Sequence, residues 1–100
     1  MNERITVKVE RDLEELIPIF LKTRQQDMGG LAKGLAANDF QSMRMIGHGM
    51  KGSGSSFGFH PVSTIGAVIE SAAIAEDAVA IAEQFEALRD YLSRVDISFI

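Results

Sequence analysis

The 100-residue chain has no cysteine. That excludes a disulfide framework and any thiolate metal site. It has no excess of basic residues: 10 Lys and Arg stand against 14 Asp and Glu, for a net charge of −4. A sequence-independent nucleic-acid binder needs a basic face, so no nucleic-acid partner is expected. No apolar run approaches the roughly 18 residues that span a bilayer. The first ten residues, MNERITVKVE, hold no apolar core of signal-peptide length. A cytoplasmic protein without a membrane partner is the expectation. The chain also lacks low-complexity segments, repeats and any linker that would divide it. A single domain over residues 1–100 follows, with its core at about 12–95.

What is present is the makeup of a folded domain, 46% apolar and 24% charged, which is too apolar for disorder. Thr6, Val7 and Val9 suggest a short extended lead-in. Leu13, Leu16, Ile17, Phe20, Leu21, Met28, Leu31 and Leu35 then recur at three- and four-residue steps, the mark of an amphipathic helix. Asp12 with Glu15 fits a capping box at its start, and Pro18 predicts a kink or a fresh helix start. Ala37-Asn38-Asp39 reads as a turn, with Asn38 or Asp39 capping a second helix from about Phe40. Pro61 restarts the chain into a third helix, whose face is Val62, Ile65, Ile69, Ala72 and Ala73. The last helix runs from about Asp77 to Val95, and DISFI adds an extended tail. No paired-strand pattern is visible. Short connections favour antiparallel neighbours, so the predicted fold is all-α: an antiparallel four-helix bundle with a short N-terminal lead-in and a kinked first helix.

One stretch resists the helical reading. Residues 47–58, GHGMKGSGSSFG, hold five glycines and three serines. As a phosphate-cradling loop it fails. Lys51-Gly52-Ser53 reverses the required order, Gly52, Gly54 and Gly58 miss the dinucleotide spacing, and no strand precedes either match. On a helix of about 100° per residue the same residues sort cleanly. Ile46, Met50, Ser53 and Phe57 fall opposite His48, with Met43 and Gly54 at the edge. Gln41, Arg44, Lys51, Gly52 and Ser55 lie on the His48 side, with Met45 at the margin. The glycines cost such a helix about 4–5 kcal/mol relative to alanines, less if Gly58 is the C-cap. Close packing against a neighbour accounts for Gly47 and Gly54. It does not account for Gly52, one turn after His48 on the exposed face. A bare backbone there suits something large that must reach His48.

An exposed imidazole is a nucleophile near neutral pH. If His48 takes a phosphoryl group, Lys51 at i+3 shares its face and neutralises the charge. Ser55, two turns on, offers a hydroxyl. Each residue alone is ordinary surface. His-x-x-Lys-Gly followed by small residues is far more specific than any member.

GHGMKGSGSSFGF resembles the signature of the histidine-containing phosphotransfer family, His-x-x-Lys-Gly followed by small residues. The preceding long helix, the AANDF turn and the following STIGAVIESAA are also similar to that family's layout. The resemblance implies a four-helix bundle that carries phosphoryl groups between receiver-domain aspartates. His48 would be the phospho-acceptor, Lys51 the phosphate-neutralising residue and Gly52 the gap for access. Its partners would be response-regulator receiver domains or a hybrid histidine kinase, with no cofactor and no metal of its own. A monomer that is not an enzyme is expected, because the residues contain no ATP-binding or kinase segment. Docking contacts would be Arg44, Met45, Ser55 and exposed residues of the first helix such as Arg24. The main alternative is an interaction module of the same shape that is never phosphorylated. A metal-dependent enzyme built on His48 and His60 is disfavoured, since no carboxylate is spaced to complete the site.

Overall fold

The computed structural model describes residues 3–100. Strand β1 (Ile5–Val9) leads into a 3₁₀ segment (Arg11–Leu16), then helices α1 (Ile17–Ala37) and α2 (Phe40–Ser53). A 3₁₀ turn (Ser55–Phe57), helices α3 (His60–Ile74) and α4 (Ala78–Arg94), and strand β2 (Val95–Phe99) complete the chain. The four helices form the predicted bundle.

The first helical stretch is divided as Pro18 required. The 3₁₀ piece ends at Leu16 and α1 begins with Pro18 in its first turn, where its missing N–H is no loss. Asp12 does not cap it. The helical turn starts earlier, with Leu13 N donating to the Glu10 carbonyl at 2.9 Å, so Asp12 lies inside. The cause is the strand before it: Arg11 N donates to Ile100 O, which fixes the chain's exit from β1. Asn38 ends α1 in the left-handed conformation at φ 53°, and Asp39 caps α2 by accepting from Ser42 N. Asp77 does the same for α4, accepting from Ala80 N.

The two extended ends pair with each other, which the sequence did not reveal. They form a parallel ladder from Ile5↔Val95 to Val9↔Phe99. A parallel pair needs a long crossover, and here the whole bundle is that crossover. Val7 and Val9 point into the core while Thr6 and Lys8 stay exposed. Arg4 bonds Asp96 and the carbonyls of Ser93 and Val95, closing the clasp from outside.

The bundle's centre is Leu31, Met43, Met50, Phe59, Val62, Ile69, Ile81 and Leu88, all fully buried. Phe20 stacks on Phe59 at 4.7 Å between ring centres. The glycines then explain the geometry of α2 and α3. A Cβ on Gly47 would lie 2.7 Å from Glu70 N and 2.8 Å from Gly66 O. One on Gly66 would lie 2.5 Å from Lys51 N. The two backbones therefore touch, which only glycine permits on both helices. The α2 helix ends at Ser53, earlier than its apolar pattern suggests. Gly54 sits under Ser63 and Phe59, so the chain tightens into a 3₁₀ turn there and closes on Gly58 at φ 90°.

Candidate functional site

The close contact of α2 and α3 sets Glu70 of α3 beside the second half of α2. His48 Nδ1 lies 2.8 Å from Glu70 Oε2, and Lys51 Nζ donates to Glu70 Oε1 at 3.1 Å. The one carboxylate is shared by the two residues singled out in the sequence. The His48 side chain is 68% exposed and that of Glu70 only 16%. The imidazole thus stands in solvent on a carboxylate sunk between helices.

Glu70 is held below the ordinary glutamate range. The hydrogen bond from His48 is the largest cause, that from Lys51 the next, and partial desolvation opposes them. An ionised carboxylate only accepts, so Nδ1 carries the ring proton and donates it. The neutral ring then has its lone pair on Nε2, which has no bonding partner among the described residues. Glu70 acts on His48 as an orienting carboxylate does: it fixes the tautomer and would stabilise a positive charge on the ring.

The pH consequence follows from the sign. Because Glu70's pKa falls on folding, its contribution to stability is whole above the ordinary glutamate pKa of about 4.3. It is lost as pH falls through the lowered value. Thermal melts on wild type and Glu70→Gln across acid pH should therefore converge as the pH drops below that point. Parallel curves would show that Glu70 is not ion-paired in the folded protein.

The structure brings His48, Lys51 and Gly52 together on one exposed face of α2. Gly52 has no neighbouring atom within 4 Å of a notional Cβ, and neither does Gly49. Both backbones lie open, unlike those of Gly47 and Gly54. Arg44 is exposed, and Met45 is 60% exposed. The Ser55 hydroxyl does not turn to His48. It donates to Ser63 Oγ at 3.0 Å and lies 3.3 Å from His60 Nδ1, because the 3₁₀ turn has carried it toward the start of α3. Arg24 is corrected outright: it is not an exposed residue of the first helix but a buried one, bonded to Asp27 and to Ser53 of α2.

Glu70 escaped the sequence reading because it lies 22 residues from His48 on another helix. A signal did exist. It is the one charged residue in HPVSTIGAVIESAAI, an otherwise apolar and small-residue helix. A lone acid on such a helix needs a partner.

No group of three or more His, Asp or Glu side chains is placed to hold a metal among the described residues. No described helix is long and apolar enough to cross a membrane.

A family model described as Hpt domain matches residues 15–97. No curated protein and no solved structure matches the chain. The match spans most of the bundle, including the whole of α2 and α3. The chain belongs to the Hpt domain family, whose members are phosphoryl carriers of two-component signalling rather than kinases.

Proposed function

We propose that this protein takes a phosphoryl group from a receiver-domain aspartyl phosphate onto Nε2 of His48 and returns it to another receiver. The carrying observation is the shared carboxylate: Glu70 accepts from His48 Nδ1 and Lys51 Nζ at once. In the step, the Nε2 lone pair forms the new N–P bond while the P–O bond to the aspartate breaks. The aspartate leaves as carboxylate with the bonding pair. The proton stays on Nδ1, so the phosphorylated ring is positive when formed, and Glu70 faces that charge. Lys51 is 53% exposed and free to swing from Glu70 to the phosphoryl oxygens. The reverse step runs through the same arrangement.

The reading is tested by intact mass after incubation with phosphoramidate or a phosphorylated receiver domain. The expected product is a single phosphoryl increment that is acid-labile and base-stable. No increment from either donor, on a folded protein, would favour the unphosphorylated interaction module instead.

Gly52 supplies a second check. A Cβ at 52 would point into open space, so Gly52→Gln should fold at least as well, gaining up to about 1 kcal/mol of helix propensity. It should take phosphate from phosphoramidate at nearly the wild-type rate and from a receiver at least 10-fold more slowly. Equal slowing with both donors would mean that the glycine serves the helix rather than the partner's access.

A further inference from the structure

Arg24 is the one buried charged residue among those described, and it touches none of His48, Lys51 and Glu70. Its guanidinium lies over the Phe20 ring at 4.6 Å. Its Nε donates to Asp27 Oδ2 at 2.9 Å and its Nη1 to Ser53 Oγ at 3.0 Å. Ser53 in turn donates to the Gly49 carbonyl at 2.9 Å. A serine hydroxyl has one proton to give and room to accept. Both roles are filled here in a fixed direction: Arg24 to Ser53 to Gly49.

That chain of bonds spans the turn of α2 that carries two open glycines. Gly49 and Gly52 bracket Met50 and Lys51, and a Cβ on either glycine would meet no neighbouring element. Before His48, α2 is held on α1 by Met43 against Gly34 and Ile46 against Gly30. After His48, the polar link from α1 is Arg24 to Ser53. It also places a cation near the C-terminal end of α2, where the helix dipole favours one. A charge buried only to fill space would be costly. One that closes a glycine-rich turn next to the site has a use.

We propose that Arg24 is a positioning residue. Through Ser53 it keeps the Gly49–Ser53 turn helical, and so holds Lys51 in register with His48 and Glu70. The consequence for transfer rests on the carrier reading above; the consequence for the turn does not.

The test starts with Ser53→Ala, which breaks the link and leaves the Arg24–Asp27 pair intact. Backbone amides of Lys51, Gly52 and Ser53 should exchange with solvent at least 10-fold faster, while those of α4 keep their protection. Phosphoryl uptake by His48 from phosphoramidate should slow at least 3-fold, and Ser53→Thr, which keeps the hydroxyl, should restore both. In a Lys51→Ala background, Ser53→Ala should slow uptake no further, because the tether acts through Lys51. Arg24→Met should reproduce the exchange pattern, and the double variant should be no worse than either single. Unchanged exchange in Ser53→Ala overturns the proposal. So does faster exchange with an unchanged rate, or an added loss in the Lys51→Ala background. If the wild type takes up no phosphoryl group at all, the carrier reading fails, and the exchange data still decide whether Arg24 holds the turn.

Discussion

His48→Gln should take up no phosphoryl group from any donor that labels the wild type, and should melt within about 4 °C of it. Glutamine is the informative replacement. Its amide N–H₂ can still donate to Glu70, so the partly buried carboxylate keeps a donor and Lys51 stays in place. What disappears is the nucleophilic lone pair that Nε2 presents to solvent. The side chain replaced is 68% exposed, so little packing is lost with it. Loss of labelling without loss of stability would separate chemistry from folding at this position. Residual labelling would point to another acceptor. His60 is the first to check, being exposed at the start of α3 with Nδ1 3.3 Å from Ser55 Oγ. His60→Gln in the same background would settle it.

The second large effect is on folding. Gly66→Ala should cost about 3 kcal/mol, at the upper end of what overpacking costs. Its new methyl would lie 2.5 Å from Lys51 N, 2.7 Å from Gly47 O and 2.7 Å from Met50 Cβ. Two of those three are backbone atoms and cannot rotate away. The helices would have to separate, against a gain of only about 1 kcal/mol from better helix propensity. Glu70 would move with α3, so phosphoryl uptake should fall along with stability. Gly49→Ala is the control, since its methyl meets nothing. Urea unfolding of the two variants should shift in opposite directions. A neutral Gly66→Ala would mean that α2 and α3 are not in backbone contact in solution.

These two outcomes bear on how far the sequence could be read. The four helices were legible because their apolar residues repeat at the helical period over long stretches. That His48, Lys51 and Gly52 share an exposed face was legible because they sit about one turn apart on a single helix, where spacing alone aligns them. The role of Gly47 was half legible: its place on the flank of α2 suggested close packing, but its partner Gly66 lies on another helix. Glu70 and Arg24 were hidden for the same reason. Each owes its place to contact between helices, and helix periodicity says nothing about which helix lies opposite. Arg24 sits in the polar run KTRQQD and looks exposed. Only the nearness of Ser53 and the Phe20 ring draws it in. The extended ends were legible but their pairing was not, because each strand is five residues long and its partner lies at the far end of the chain.

That last feature bears on the order of assembly. Ile5 pairs with Val95, so the ladder closes a loop of some ninety residues. Drawn together from an open chain, its ends would forfeit about 4 kcal/mol of chain entropy before the first bond forms. The α2–α3 hairpin needs only the short Gly54–Phe59 turn and gains the backbone contact at Gly47 and Gly66. Folding should therefore begin on the helix pair that carries His48 and Glu70, and the strands should zip last, once the bundle has brought them close. In the native protein the same ladder should be the first part to open, leaving the histidine and its carboxylate in place beneath a frayed edge.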